Sequence, residues 1–201
     1  MIELESVIID HRFGKRLKID NLVFESGCFA QIYAKNGTGK TLLLESIANI
    51  NKKFIGNVLV NQSIINDKDS IILIERNPVF INRKDVWKNI TLPLKKVSRE
   101  KKRRLIEFCE YANIKALFKQ KIETLSYSQK KMVEIIRAVI QYPYVILIDD
   151  FDAFFDKEQF KIAKYFLEFA SKAGTSIVVS STKKLDDFEE YSIIDNELIK
   201  V

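Results

Sequence analysis

Histidine is almost missing from this chain: His11 stands alone among 201 residues. It reads as a surface residue with no metal role. The two cysteines, Cys28 and Cys109, fall on a predicted strand and a predicted helix and lack the spacing of a metal-binding pair. They read as reduced core residues of a cytosolic protein. Glycine and proline number only 6 and 3, and no linker or internal repeat interrupts the chain. No apolar run approaches the roughly 18–20 residues that span a bilayer. Met1-Ile2-Glu3-Leu4-Glu5 carries acids where a signal peptide carries bases. What is present is ample apolar material, 47% of the residues, which excludes disorder. The length supports one substantial core, so residues 1–201 are expected to form a single domain. The net charge of +6 is compatible with an anionic membrane surface, nucleic acid, or neither.

The stretch around which the chain is organised is Tyr33-Ala34-Lys35-Asn36-Gly37-Thr38-Gly39-Lys40-Thr41. Cys28 to Tyr33 before it is short and mostly apolar, as a buried parallel strand is. Leu42 to Ala48 after it is a good helix-forming run. Gly37 and Gly39 permit backbone angles that turn amide hydrogens toward phosphate oxygens. Lys40 supplies a point charge for the β- and γ-phosphates of a nucleotide, and the Thr41 hydroxyl is placed to ligate magnesium. The following helix points its positive dipole end at the same anion. Ala34 stands where the first glycine of such loops belongs, which requires a negative φ there.

In chain order, Leu4–Ile9 and Leu17–Phe24 read as strands around a turn at Phe13-Gly14. Gly56–Asn61 and Ile71–Ile74 read as further strands, and Pro78 marks a loop. Ser98 is an N-cap for a helix on which Leu105, Phe108, Cys109 and Ala112 share one face. A second helix starts near Ser128, with Met132, Ile135, Ile136, Val139 and Ile140 at helical spacing. Val145–Ile148 is a buried strand ending in Asp149-Asp150. Gln159–Lys172 is helical, Ile177–Val179 is another buried strand, and Tyr191–Val201 closes as a hairpin around Asp195-Asn196. Strands alternating with helices predict an α/β sheet, parallel at its centre.

The paired acids are the second chemical feature. An Asp ending a central strand beside a phosphate loop holds magnesium, as Asp149 would, and the next acid, Asp150, is placed to orient or deprotonate a water. With these residues in order, the chain resembles the ATP-binding cassette (ABC) family nearly end to end. Leu125-Ser126-Tyr127-Ser128-Gln129 occupies the place of the family signature Leu-Ser-Gly-Gly-Gln, and Val133, Ile135, Arg137 and Ala138 match the signature helix. Pro143 precedes the Asp149 strand at the family's distance. Arg76-Asn77-Pro78 sits where the Q-loop begins, and Val86–Ile90 matches the stretch after it. Asp156 fits the D-loop, and Phe13 the aromatic that stacks on adenine. The fold implied is a P-loop NTPase with a RecA-like core, an antiparallel β subdomain and a helical signature subdomain near residues 91–141.

The resemblance implies ATP and Mg²⁺ as ligands, with Phe13 and Ala34, Lys35, Asn36, Gly37, Thr38, Gly39, Lys40 and Thr41 on the nucleotide and Thr41 and Asp149 on the metal. It implies a dimer in which the signature of one cassette completes the site of another, as a homodimer or with a different cassette. It further implies a separate transmembrane permease and a peripheral place on the cytoplasmic face of the cell membrane. Asn89–Leu94 and the small size resemble the branch of lipoprotein-release and FtsE-type cell-division ATPases. Several positions depart from the family pattern. Tyr127 and Ser128 replace signature glycines, Asp150 replaces a glutamate, Thr182 stands at the switch histidine, Arg76 at the Q-loop glutamine, and Phe151 at a proline. Asp150, Thr182 and Arg76 are the candidate catalytic positions, and their accumulated changes predict slow or abolished hydrolysis with ATP binding retained. Two further readings stay open: a nucleic-acid-associated ABC ATPase, and a regulatory subunit that binds ATP without hydrolysing it. Against the first, the coiled-coil insertion of repair members and the second cassette of translation members are both missing. The basic run Lys95-Lys96 and Arg99–Arg104 reads as a solvated face, or as a contact for anionic lipid or a membrane partner.

Overall fold

The computed structural model describes residues 1–10, 16–61, 63–64, 71–94 and 98–201. His11, Phe13, Gly14, Lys95 and Lys96, each singled out from the sequence, lie outside them. The chain begins with two long antiparallel strands, β1 (Ile2–Asp10) and β2 (Arg16–Phe24), paired from Ile2↔Phe24 to Asp10↔Arg16. β3 (Phe29–Tyr33) leads through the glycine loop into α1 (Lys40–Ile47). β4 (Phe54–Val60) returns to β1 and carries the two-residue β5 (Ser63–Ile64) on its outer side. β6 (Ile71–Ile74) is followed by α2 (Val86–Thr91), α3 (Arg99–Tyr111) and α4 (Tyr127–Val139). Then come β7 (Val145–Ile148), α5 (Lys157–Lys172), β8 (Ser176–Ser181) and the hairpin of β9 (Glu189–Ile194) and β10 (Glu197–Lys200).

The strands line up as β5-β4-β1-β2-β10-β9-β3-β8-β7-β6. From β6 to β9 every neighbouring pair is parallel; from β2 to β5 every pair is antiparallel. The two halves meet where β10 pairs with β2 through Glu197↔Lys18, beside a bond from the Lys18 amide to the Asn196 carbonyl. The parallel α/β sheet is what the sequence pattern predicts, and the antiparallel flank is what the family resemblance implies.

Because strand side chains alternate between faces, β7 feeds two cores. Ile146 and Ile148 join α3, α4 and α5 through Leu105, Met132, Val133, Ile136 and Phe166. Val145 and Leu147 join β1, β2 and α1 through Ile9, Leu17, Leu43, Leu44 and Ile47. Burying β7 on both faces explains its unbroken apolar run. The helical layer shares one apolar cluster with the sheet, so α4 is anchored to the strands that carry the acids. α3 is capped by Ser98, whose side chain accepts from the Lys101 amide at 3.1 Å. Its buried residues, Leu105, Phe108 and Cys109, lie on the face read from the sequence. Trp87 packs against this core and tilts onto Phe118 at 4.8 Å.

Three boundaries differ from the sequence reading. α2 is a helix of six residues, too short for periodicity to reveal, and is started by the Asp85 carboxylate accepting from the Lys88 amide at 2.7 Å. α4 starts one residue before Ser128, because Ser126 and Gln129 form a reciprocal capping box. α5 starts at Lys157 rather than Gln159, because the Asp156 carboxylate caps the amides of Glu158 and Gln159.

Candidate functional site

The loop between β3 and α1 is shaped by two glycines with positive φ, Gly37 at +80° and Gly39 at +99°. A Cβ on Gly37 would meet open space, so the backbone angle and not crowding is what glycine supplies there. Ala34 is buried and outside the positive-φ residues, and its amide donates to the Ser181 carbonyl at 3.3 Å, tying the loop to β8. The loop wraps Lys40, whose ammonium donates to the carbonyls of Ala34 at 2.6 Å and Lys35 at 3.0 Å. Burial pulls the Lys40 pKa below its ordinary value, while Asp150, Asp149 and Asp152 hold it up. Beside this loop opens a cavity of about 700 Å³, lined among others by Gly37, Gly39, Lys40, Thr41, Arg76 and Asp150. Loop and cavity together offer an anion a lysine, backbone amides and a helix start.

β7 delivers the acids to the same place. Thr41 Oγ1 donates to Asp149 Oδ2 at 2.8 Å, and Ser180 Oγ donates to Asp149 Oδ1 at 2.6 Å. A buried carboxylate and a hydroxyl held together in this way are hard oxygen donors of the kind magnesium prefers. Asp150 adopts a left-handed conformation, φ +52° and ψ +43°, which turns the chain sharply after the strand. Its amide donates to Ser180 Oγ at 2.8 Å, and its carboxylate lies 3.8 Å from the Arg76 guanidinium. Burial raises the Asp150 pKa from its ordinary value; neighbouring Asp149 adds to this, and Arg76 and Lys40 oppose it.

The remaining candidates divide. Thr182 follows β8 and turns away to Asp152, donating from Oγ1 at 2.8 Å. Asp156 caps α5. Leu125 is buried, and Ser126 and Gln129 cap α4. Tyr127 does not stand free in front of the signature turn: its hydroxyl donates to the Arg76 carbonyl and its ring sets its edge to Phe154 at 5.8 Å.

Sequence reasoning missed a stripe on α4. Lys131, fully buried, donates to the Glu75 carbonyl and, at 2.9 Å, to Glu134 Oε2. Glu134 Oε1 accepts from the Val79 amide at 2.9 Å, and Arg137 donates to the Val79 carbonyl at 3.1 Å. With Tyr127, these side chains grip the backbone of residues 75–79 from one helix face. Their spacing of four, three and three residues is the signal that could have found them. Ser180 was also missed, since a serine in an apolar strand carries no pattern of its own.

The ABC transporter family model matches residues 17–153.

This chain belongs to the ABC transporter family.

The molybdate/tungstate import ATP-binding protein WtpC of Methanocaldococcus jannaschii is 32% identical over 147 residues, covering 69% of this chain and 50% of WtpC. The tungstate uptake system ATP-binding protein TupC of Peptoclostridium acidaminophilum is 29% identical over 168 residues, covering 81% of this chain and 78% of TupC. The chain thus spans half of one ABC relative and most of the other. Among solved structures, an ATP-binding subunit of an ABC transporter superposes with a TM-score of 0.85 at 15% identity, over 100% of this chain and 90% of that one. A bacterial ABC transporter cassette solved as a dimer gives 0.81 at 22% identity, over 100% and 98%. These likenesses establish the P-loop cassette fold.

Proposed function

We propose that this chain is the ATP-binding subunit of a membrane transport complex, working as a pair of cassettes on the cytoplasmic face and driving a separate transmembrane permease. The observation that carries the reading is the meeting of Lys40, Thr41 and Asp150 around one cavity, with Asp149 bound to the Thr41 hydroxyl beside it. The names of the relatives, import and uptake ATP-binding proteins, support it. Among the described residues no helix is long and apolar enough to cross a membrane. The pair is a homodimer or includes a different cassette. The transported substrate is set by the permease.

In this reading Gly37 and Gly39 shape the loop that receives the β- and γ-phosphates, and Lys40 leaves its two carbonyl partners to neutralise them. Thr41 and Asp149 hold magnesium, which supplies charge neutralisation at the phosphates when bound. Asp150 orients or deprotonates water, but its carboxylate is one methylene shorter than a glutamate. Thr182, committed to Asp152, offers nothing to the terminal phosphate. Turnover is therefore slow while binding is retained. Isothermal titration tests the core of this: magnesium-ATP binds wild type, and Lys40→Ala removes most of the affinity. Unchanged affinity in Lys40→Ala overturns the assignment of the loop.

A further inference from the structure

An arginine lies beside the acid that would act on water, and its surroundings separate a fixed part from a free part. The backbone at Glu75 and Arg76 is held by α4, through the Lys131 ammonium on the Glu75 carbonyl and the Tyr127 hydroxyl on the Arg76 carbonyl. The Arg76 side chain is 72% exposed, and its 3.8 Å approach to Asp150 is too long for a hydrogen bond. So the origin of the side chain is fixed while the guanidinium can exchange partners at little cost. Arg76, Asp150 and Lys40 line one cavity. An anion seated on Lys40 therefore competes with Asp150 for the same guanidinium. A terminal phosphate has the advantage, because it carries more charge than a carboxylate and accepts the planar fork of an arginine in two parallel bonds.

We infer that Arg76 reads the phosphate count of the bound nucleotide: it pairs with Asp150 in the empty or diphosphate-bound site and transfers to the terminal phosphate of a triphosphate. The inference rests on the reading of residues 34–41 as a nucleotide site. A neutral glutamine at this position could not do the same, since it offers no charge to exchange. The transfer has a second effect. Asp150 loses its pairing with Arg76 only when a third phosphate is present, so its carboxylate is released from that guanidinium under that condition alone. No covalent step is involved; one ion pair is exchanged for another. The arginine comes from the chain that holds the nucleotide, so the discrimination works in a single cassette before any second copy arrives.

The test is isothermal titration of the full chain with magnesium and either ADP or the non-hydrolysable triphosphate analogue AMPPNP. Wild type should prefer AMPPNP to ADP by about tenfold or more, the scale of one charge-assisted contact. Arg76→Gln should lose about tenfold in AMPPNP affinity with ADP affinity unchanged, and Arg76→Lys should keep part of the preference as a point charge without the fork. Thermal melting of each variant without nucleotide checks that the fold is retained. Equal losses for both nucleotides, or an unchanged preference in Arg76→Gln, overturn the inference and leave the loop's assignment intact. If wild type binds neither nucleotide, the assignment of the loop itself fails, and this inference with it.

Discussion

The hydroxyl of Ser180 donates to Asp149 Oδ1 over 2.6 Å while accepting from the amide of Asp150 at 2.8 Å. One side chain on β8 thus fixes two consecutive residues at the end of β7. With Thr41 on Oδ2, both oxygens of Asp149 are engaged, and α1, β7 and β8 converge on a single carboxylate.

Replacing Ser180 by alanine removes that convergence. Asp149 loses a donor in a buried setting and the Asp150 amide loses its acceptor in a partly buried one. The expected cost is about 1–3 kcal/mol of stability. Urea unfolding of Ser180→Ala against wild type measures it, and a variant as stable as wild type would show that water or a relaxed backbone replaces the hydroxyl.

Asp150→Glu should raise phosphate release only modestly. A placed general base is worth about 10²–10⁴ in rate, but Thr182 is turned to Asp152 and gives no help at the phosphate. Combining Asp150→Glu with Thr182→His should raise turnover by more than the product of the single effects, because groups acting as a unit are not additive. Steady-state phosphate release from wild type, both singles and the double, at saturating magnesium-ATP, decides it. Wild-type turnover at or above roughly 1 s⁻¹, an ordinary enzyme rate, would contradict the expectation of a slow site.

Lys131 and Glu134 form a buried ion pair on one helix face, 2.9 Å apart. Removing Lys131 leaves the buried Glu134 carboxylate only its longer pairing with Arg137, at 3.7 Å. Lys131→Ala is expected to cost about 3–5 kcal/mol in denaturant unfolding. Truncating both residues should cost less than the sum of the single changes, and an additive double-mutant cycle would show that the two do not act as a pair.

The cysteines predict a dependence on alkaline pH. Burial pushes the Cys28 thiol up to about 11 and the Cys109 thiol up to about 12. The unfolded chain releases these protons near the ordinary thiol value of 9.0, before the folded chain does. The stability at stake is present below that pH and is lost as pH rises through the folded values, at about 1.4 kcal/mol per pH unit per thiol. Urea unfolding between about pH 8 and pH 10.5 should show a slope shallower by one proton in Cys109→Ala. Identical slopes would place the Cys109 thiol at its ordinary value.

The parts of the site that the sequence made legible are those whose chemistry is local. Gly37, Gly39, Lys40 and Thr41 act through backbone angles and reach that a nine-residue stretch specifies, and Asp149 follows an apolar run that only a doubly buried strand explains. The α4 grip was illegible for a definite reason. Lys131 and Glu134, three apart on an amphipathic helix, have the pattern of a solvated pair, and their other partners are carbonyls and amides of a loop that no side-chain periodicity announces. Tyr127 stood in the sequence only as a replacement for a signature glycine, and nothing there announced the bond from its hydroxyl to the Arg76 carbonyl. The beginnings of α4 and α5 slipped by one and two residues, because capping by Ser126 and Asp156 recruits residues of modest helix propensity.

The grip of α4 on Glu75–Val79 also changes where disorder is lost. A loose segment entering a ligand site must be ordered when the ligand arrives, and each residue fixed then weakens binding by roughly 1–2 kcal/mol. Here Tyr127, Lys131, Glu134 and Arg137 impose that order before any ligand is present. The entropic penalty falls on folding, and an incoming ligand meets the backbone of this segment already in place.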